Sequence, residues 1–257
     1  MKINETSVLV VTHNHSLFID KLINSLVKFG YTNTYFCDAK SSDGTYEKLK
    51  NSPFKDNVLR KDNLEGFSKN NNDLIRHFKL RSEYFLLLNP DTYFNVDFLE
   101  VLRTKIKSNK EIGIVSPLLK YPSGELQITW KHFPNFINVI KKRLGVLKAK
   151  SEKQMNGPEI DWCLGACMLI SNRLMKKENR LLDERYRLYC EDIDICFEAH
   201  VMKMKVIGVS DTYIYHILNE SSSKNIFSKY NFWNISSIFK FIFKWNWKYL
   251  RKVYLKR

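Results

Sequence analysis

One apolar stretch, Tyr84–Leu88, constrains the fold of this sequence more than any other. Five apolar or aromatic residues stand in a row, which is too short for a helix and is typical of a strand buried on both faces. Pro90 cannot donate to a strand ladder, so the strand is predicted to end there and to leave Asp91 at its carboxyl end. Ligands bind at this end of strands in an open α/β sheet, and a carboxylate there can hold a divalent cation. An ordinary turn is the alternative, because the same residue types favour turns.

The order of strand and helix recurs along the chain. Ser7–Thr12 is a β-rich run, and apolar residues then recur at helical spacing from Leu17 to Val27. Thr34–Cys37 forms a second short strand, which is followed by Asp38 and a polar turn before another helix. Further strands are predicted over Val58–Leu59, Ile112–Pro117, Asp161–Ile170 and Val206–Val209, the last continuing through Tyr213–His216. The alternation predicts an α/β fold with a mostly parallel sheet flanked by helices.

Length and composition agree with one large domain in the cytoplasm. The chain has 257 residues, of which 44% are hydrophobic, so a substantial core is expected. Its apolar runs are shorter than a membrane-spanning helix, and the amino terminus lacks the pattern of a signal peptide. The five cysteines show no zinc-like pairing, so reduced thiols are expected. Only residues 130–158 show no clear pattern; they are predicted to form a loop with a helix near Phe136–Leu144, open to a role as a lid.

The basic residues are concentrated near the carboxyl end. The net charge is +15, and residues 221–257 contain no Asp or Glu. Aromatic residues there surround Lys240, Lys244, Lys248 and Lys252, which repeat every four residues and predict one basic stripe on a helix. We therefore expect a main domain over residues 1–220 and a C-terminal basic aromatic helical segment that lies on an anionic membrane surface. The alternative is a helix that packs against the main domain with a solvated charged side.

Three carboxylates at strand or helix ends suggest chemistry on a nucleotide diphosphate ester. Asp38 can accept a hydrogen bond from a base N–H, Asp91 can bind a metal, and Asp192 can take a proton from an acceptor hydroxyl. Each also has a structural alternative, namely loop solvation or stabilisation of a helix dipole. His216, taken alone, is more typical of a structural histidine than of a ligand.

The order of these motifs resembles that of the family 2 glycosyltransferases of the GT-A fold, especially their bacterial rhamnosyltransferase-like branch. The resemblance runs from about Val8 to His216. It is carried by the segments Val8–Asn14, Asp38–Thr45, Asn63–Asn72, Asn89–Asp91, Pro117–Gly124, Trp162–Met168, Leu182–Glu184 and Tyr189–Asp192.

The resemblance implies a role for each motif residue. Asp192 is the expected catalytic base, and Asp91 and His216 are the expected ligands of Mn²⁺ or Mg²⁺, with the nitrogen ligand favouring Mn²⁺. The expected donor-binding residues are Thr12, Asn14, Asp38, Asn72 and Asn89. The expected acceptor-side or supporting residues are Trp162, Glu191 and Asp194, with helix capping as the alternative for Asp194. The sequence departs from the family pattern at Asn89, which replaces an acidic residue, and at Ala39, which replaces an Asn.

The implied activity is inverting transfer of a sugar from a dTDP- or UDP-sugar, with dTDP-rhamnose preferred. The implied acceptor is a polyprenyl-diphosphate-linked oligosaccharide, extended at the inner face of the bacterial cytoplasmic membrane during O-antigen or capsule synthesis, with no nucleic acid as partner. A sugar nucleotidyltransferase is an alternative, but the first strand lacks a glycine-rich phosphate loop. An inactive relative and a basic protein that binds nucleic acid or another partner are the remaining alternatives.

Overall fold

The structure is a computed structural model that describes residues 5–135, 154–155, 158–217 and 229–254. Within the last helix, side chains are described for residues 231–246. The strands are β1 (Thr6–Thr12), β2 (Thr34–Ala39), β3 (Val58–Lys61), β4 (Tyr84–Leu88), β5 (Thr92–Tyr93), β6 (Ile112–Lys120), β7 (Trp130–Lys131), β8 (Trp162–Cys163), β9 (Cys167–Ser171) and β10 (Lys205–His216). The helices are α1 (Ile19–Lys28), α2 (Thr45–Lys50), α3 (Phe67–His77), α4 (Phe98–Lys107), α5 (Glu191–Val201) and α6 (Lys229–Tyr254).

A mostly parallel sheet organises the described chain. Its eight strands follow the order β3-β2-β1-β4-β9-β6-β10-β5. All run in one direction except β9, which is antiparallel to β4 and β6, and the edge strand β5, which is antiparallel to β10. The carboxyl ends of β1, β2 and β4 therefore meet at one edge of the sheet, as the sequence predicts. In the register of β1 and β2, Thr12 stands directly opposite Asp38.

Strand β4 is buried on both faces, as its continuous apolar run predicts. Phe85 and Leu87 pack into the core on one side of the sheet, while Leu86 and Leu88 pack into the core on the other. Successive side chains of a strand point to opposite faces, so an apolar residue at every position requires a cover on both. The strand ends at Leu88, before Pro90, and Asp91 follows in the loop at its carboxyl end.

The predicted single strand Asp161–Ile170 is wrong, because the chain divides there into two strands. Trp162–Cys163 pairs with β7 in a separate two-stranded sheet, whereas Cys167–Ser171 lies in the main sheet between β4 and β6. The intervening turn contains Gly165, whose backbone N–H points to the side chain of Asp192 instead of a neighbouring strand. The loop helix predicted near Phe136–Leu144 lies outside the described residues.

The C-terminal helix α6 packs on the main domain. Ile238 and Phe241 are buried in the same core as β4 and α5, and the ring centroids of Phe197 and Trp245 lie 5.0 Å apart. Lys244 of the predicted basic stripe points into the protein, with its side chain 14% exposed, which favours the packing alternative for this part of the helix. The side chains of Lys248 and Lys252, and the domain boundary predicted at residue 220, lie outside the described residues.

Two further expectations concern cysteines and membrane-spanning segments. All five cysteines are free and buried. Within the residues that the structure describes, no helix combines the length and apolarity needed to span a bilayer.

Candidate active site

The first part of the site is a carboxylate held at the carboxyl end of β2. Asp38 is fully buried, and its Oδ1 accepts a hydrogen bond from Thr12 Oγ1 at 3.0 Å. Its Oδ2 accepts from the backbone N–H of Ser41 at 3.1 Å. Since an ionised carboxylate can accept about four hydrogen bonds, these two contacts fix its orientation and leave acceptor capacity for another donor.

The loop after β1 lies against the loop after β2. Asn14 has a left-handed backbone with a φ of 57°, and its Oδ1 accepts from the N–H of Ser42 at 2.9 Å. The backbone N–H of Asn14 donates to Ser41 Oγ at 2.9 Å. Asparagine tolerates this backbone region better than most residues, and here its side chain joins the two loops.

His15 is a polar group of this loop that sequence reasoning did not identify. Its Nδ1 accepts a hydrogen bond from the backbone N–H of His13 at 3.0 Å, so the neutral ring carries its proton on Nε2. Burial lowers the pKa of His15 from 6.5, outweighing the opposite effect of the nearby Asp91 carboxylate. The site therefore contains a neutral imidazole N–H donor in the electrostatic field of Asp91.

The pairing of β5 with β10 brings together Asp91 and His216, which are distant in sequence. His216 stands opposite Thr92 in this pair, and its Nε2 lies 3.4 Å from Asp91 Oδ1. Both side chains are buried, with 3% and 7% of their surfaces exposed. These are the two residues that the family resemblance implies as metal ligands.

Gln127 determines which ring nitrogen of His216 is available. Its Nε2 donates to the backbone carbonyl of His216 at 2.6 Å, which places its Oε1 2.9 Å from His216 Nδ1. An amide oxygen can only accept, so Nδ1 carries the proton and the lone pair of the neutral ring is on Nε2, beside Asp91. Metal-binding histidines usually donate their other N–H in this way.

The residues at this position fit a divalent cation. A carboxylate oxygen and a neutral imidazole nitrogen together suit Mn²⁺, whereas Mg²⁺ prefers oxygen ligands. Among the described residues, no group of three or more His, Cys, Asp or Glu side chains is arranged to hold a metal. Asp91 and His216 would thus supply two ligands, and a bound diphosphate would have to supply others.

Asp192 lies on the first turn of α5, after two residues with left-handed backbones. Tyr189 and Cys190 have φ values of 71° and 69°, a conformation that costs energy for residues other than glycine and is concentrated at functional sites. Asp192 Oδ2 accepts from the N–H of Gly165 at 3.2 Å, and its Oδ1 accepts from the N–H of Ile193 at 2.8 Å. Burial raises the pKa of Asp192 above 3.8, although both hydrogen bonds and the nearby Lys131 favour the ionised form.

Of the two neighbouring carboxyl groups, Glu191 is the one that retains its proton more readily. Burial, and then the charge of Asp192, raises the pKa of Glu191 to about 8. Its Oε2 is buried and has no hydrogen-bond partner among the described residues. Two adjacent carboxylates favour a state in which one keeps a proton. The backbone donors at Asp192 favour its ionised form, and an ionised carboxylate suits a general base.

One backbone turn connects the metal-ligand pair to Asp192. The N–H of Asn89, two residues before Asp91, donates to the carbonyl of Ala166 at 2.9 Å. The preceding residue, Gly165, donates to Asp192. The turn at residues 164–166 is therefore in contact with both the loop after β4 and the start of α5, and it holds the two predicted reactive groups at one edge of the sheet.

The family model for "Glycosyl transferase family 2" matches residues 7–177, well over half of the chain. The chain belongs to glycosyl transferase family 2. Asp38, Asp91 and the turn at Gly165 lie within the matched range, while Asp192 and His216 follow it. The family match confirms the predicted enzyme class.

Two curated relatives of the chain are also glycosyltransferases. "Rhamnosyltransferase WbbL" of Escherichia coli (strain K12) is 24% identical, and the alignment covers 91% of each chain. "Low-salt glycan biosynthesis hexosyltransferase Agl10" of Haloferax volcanii is 30% identical over 136 residues, which are 52% of this chain and 43% of the relative. The chain therefore spans nearly the whole length of the first relative and less than half of the second.

Solved structures of other glycosyltransferases share the fold. GalNAc-T7, solved with UDP, GalNAc and Mn²⁺, superposes on 98% of this chain and 50% of its own, with a TM-score of 0.67 and 16% identity. The mannosyltransferase PcManGT of Pyrobaculum calidifontis, solved with GDP-Man and Mn²⁺, has a TM-score of 0.60 and 14% identity over 86% of this chain and 59% of its own. The likeness confirms the predicted GT-A fold class, and the C-terminal helix is present as expected.

Two predicted site residues of this family 2 chain make contacts within the protein. The Asn72 side chain donates to the Leu182 carbonyl at 2.8 Å and to Glu184 Oε1 at 3.0 Å, and its Oδ1 accepts from the N–H groups of Leu181 and Leu182. Asp194 Oδ1 accepts from Tyr186 and Trp245, and its Oδ2 accepts from Lys244. These hydrogen bonds support the fold. Contact of Asn72 with the nucleotide-sugar donor and contact of Asp194 with the glycan acceptor stay predictions.

Trp162 lies in β8 of the small two-stranded sheet. Its Nε1 donates to the His132 carbonyl at 3.0 Å, and the ammonium group of Lys131 lies 5.4 Å from its ring centroid. Lys131 faces Trp162 across the two strands, and its charge opposes the larger effect of burial, which raises the pKa of Asp192. Sequence reasoning missed Lys131, because its stretch of chain shows no regular pattern.

Proposed function

We propose that this family 2 glycosyltransferase is an inverting, metal-dependent enzyme that uses a nucleoside diphosphate sugar and Asp192 as its general base. The observation that carries the proposal is the turn at residues 164–166, which contacts both the Asn89–Asp91 loop and Asp192. A donor diphosphate beside Asp91 and His216 would then lie near a carboxylate that can deprotonate the incoming hydroxyl.

The proposed reaction is a single displacement at the anomeric carbon of the sugar. Asp192 accepts the proton of the acceptor hydroxyl while the oxygen of that hydroxyl forms the new glycosidic bond. The bond between the anomeric carbon and the diphosphate oxygen breaks, which inverts the configuration at that carbon. A divalent cation bound by Asp91 and His216 would supply positive charge beside the leaving diphosphate. The Nε2–H of His15 provides a further donor for a diphosphate oxygen, and Asp38 accepts from the nucleotide base.

The proposed donor is dTDP-rhamnose, with UDP-sugars as the next choice. The support is the similarity to a rhamnosyltransferase along 91% of both chains. The proposed acceptor is a polyprenyl-diphosphate-linked oligosaccharide at the cytoplasmic face of the bacterial membrane, as part of surface polysaccharide synthesis. Residues 1–220 would form the catalytic domain, and residues 221–257 would assist membrane attachment. The exposed Phe232, Phe239 and Phe243 of α6 support a peripheral contact with the membrane.

The test is thermal stability of the purified chain with dTDP-rhamnose, UDP-glucose and GDP-mannose, each with and without Mn²⁺. A ligand that binds only the folded state raises the melting temperature. We expect the largest rise with dTDP-rhamnose and Mn²⁺, and loss of the Mn²⁺-dependent part in Asp91→Ala. Asp56→Ala, an exposed carboxylate next to β3, is the matched control. A larger response to another nucleotide would change the donor, and no response to any of them would indicate an inactive relative.

A further inference from the structure

An open groove of about 630 Å³ lies between α6 and residues 180–185, outside the candidate catalytic cluster. We call it the basic groove. Its α6 side is formed by Phe239, Lys240 and Phe243, and the opposite side includes Arg180 and Arg185. The groove thus brings three cationic and two aromatic side chains to one surface, and none of them belongs to the proposed donor site, metal site or general base.

Each carboxylate of the basic groove is bound by a cation from outside it, and Asp183 is bound by Arg185 of the groove as well. Asp183 Oδ2 lies 2.8 Å from the ammonium group of Lys244, and Glu184 Oε1 lies 2.8 Å from the guanidinium of Arg76. Burial opposes ionisation of Asp183, but Lys244 and Arg185 prevail and lower its pKa to about 2. The lining itself contains three cationic side chains and two carboxylates, which is a formal excess of one positive charge (3 − 2) toward an incoming ligand.

The cations of the groove remain accessible. The side chains of Arg180 and Arg185 are 41% and 43% exposed. Lys240 is exposed, and its ammonium group donates to the carbonyl of Arg185 at 2.9 Å. An ammonium group has three donors and a guanidinium has five. These side chains therefore retain N–H groups that can reach phosphate oxygens.

The aromatic residues of the groove belong to an exposed ridge on α6. Phe239 and Phe243 are 59% and 87% exposed and lie one turn apart. Phe232, 72% exposed, lies seven residues before Phe239 and so on the same face of the helix. Exposed aromatic side chains beside clustered cations match an amphiphile with an anionic head and an apolar tail.

We propose that the basic groove binds the diphosphate head group of a polyprenyl-linked acceptor. Arg180, Arg185 and Lys240 contact the phosphate oxygens, and Phe239 and Phe243 lie along the first isoprene units. The inference rests on the lipid-linked acceptor of the proposed function and adds the place where that lipid is held.

The groove is connected to the helix of the candidate base. Asp183, in the groove, and Asp194, on the first turn of α5, bind the same Lys244 ammonium group. Asp194 is two residues from Asp192, so the groove and the candidate base lie against the same first turn of α5 but on different faces of it. Attraction of the protein to an anionic membrane surface would not by itself require a concave site at this position.

The test measures binding to phosphatidylcholine vesicles that carry undecaprenyl diphosphate. Vesicles with phosphatidylglycerol at matched surface charge form the second arm, and competition by inorganic pyrophosphate forms the third. We expect the chain to bind the undecaprenyl diphosphate vesicles about tenfold more tightly than the phosphatidylglycerol vesicles. Pyrophosphate alone is expected to compete weakly, because it lacks the apolar tail.

The variants separate the groove from overall charge and hydrophobicity. The double variant Arg180→Gln/Lys240→Gln is expected to lose about tenfold in binding, which corresponds to about 1.4 kcal/mol, because it removes two cations that contact the phosphate oxygens. Lys50→Gln/Lys55→Gln removes the same charge from an exposed region around α2 and should bind like the wild type. Phe239→Ser should also weaken binding, whereas Val27→Ser, at an exposed position of α1, should not.

The outcomes distinguish this inference from the proposed function. Three results would each overturn lipid binding in the groove. They are equal binding to both kinds of charged vesicle, an equal loss of binding in Lys50→Gln/Lys55→Gln, and full competition by pyrophosphate. Donor binding is read separately, from the nucleotide- and Mn²⁺-dependent melting temperature, which the groove variants should retain. If the wild type responds to the donor but does not prefer the prenyl lipid, only the inference of lipid binding in the groove is refuted. If the wild type prefers the lipid but its melting temperature responds to no tested donor, lipid binding in the groove is supported and the proposed donor binding is refuted.

Discussion

The ammonium group of Lys244, on the C-terminal helix, lies 2.6 Å from Asp194 Oδ2, on the first turn of α5. The side chains are 14% and 1% exposed, so the ion pair is buried. The indole N–H of Trp245 donates to the other oxygen of Asp194 at 2.7 Å. The C-terminal helix is therefore bonded to the helix that carries the candidate base.

Lys244→Met is expected to destabilise the protein by about 3 kcal/mol, because it leaves the buried charge of Asp194 without its cation. The free energy of unfolding from urea denaturation measures the effect. Lys240→Met is the matched control on the same helix. Lys240 is exposed and donates to a backbone carbonyl, so its loss should change stability by about 0.5 kcal/mol or less. Equal effects of the two substitutions would contradict a structural role for the Lys244–Asp194 pair.

Glu191 is expected to make stability depend on pH. Burial, followed by the charge of Asp192, raises its pKa from 4.5 to about 8. The folded state therefore keeps a proton that the unfolded state has released, and stability falls as pH rises from about 4.5 to about 8. Glu191→Gln carries no such proton, so the variant should gain melting temperature relative to the wild type across this window.

Melting curves of both proteins at several pH values between about 5 and 9 provide the measurement. Glu47→Gln, at an exposed position of α2, serves as the control and should follow the wild type. A difference between wild type and Glu191→Gln that stays constant with pH would show that Glu191 is ionised in the folded state throughout.

Local patterns were sufficient to predict the sheet and the carboxylates at its edge. The apolar run of β4 predicted a strand with two covered faces, and its end placed Asp91 in the following loop. The same reasoning placed Asp38 at the end of β2. Each conclusion depends on residues within one strand and its loop, where sequence neighbours are also neighbours in space.

The partners that complete the site come from distant parts of the chain. Gln127 binds His216 across 89 positions, and Lys244 binds Asp194 across 50. Gln127 has no periodic signature in its segment, and the four-residue repeat that contains Lys244 predicts a stripe on a helix without indicating Asp194 as its partner. The division of the predicted strand Asp161–Ile170 likewise depends on β7, which pairs only with its first part. Long-range pairing, not propensity, determined these features.

Gln127→Leu is expected to lower Mn²⁺ affinity by about 10–100-fold, because it removes the hydrogen bond that fixes the tautomer of His216. The measurement is the Mn²⁺ concentration that gives half of the metal-dependent stabilisation in the presence of the best nucleotide. Gln154→Leu is the control: Gln154 Oε1 accepts from the N–H groups of Thr129 and Trp130 and makes no described contact with His216. An unchanged Mn²⁺ midpoint in Gln127→Leu would show that the hydrogen bond from His216 to Gln127 does not affect metal binding.

Asp192→Asn is expected to reduce sugar transfer by about 10²–10⁴-fold, the usual contribution of a general base. The amide oxygen can still accept from Gly165 or Ile193, so the start of α5 should keep its position. Nucleotide affinity, read from the melting temperature with donor and Mn²⁺, should stay close to that of the wild type. Asp56→Asn is the exposed control and should retain transfer. If Asp192→Asn lost nucleotide binding together with transfer, Asp192 would belong to the donor site, and the proton would have to be accepted by another group.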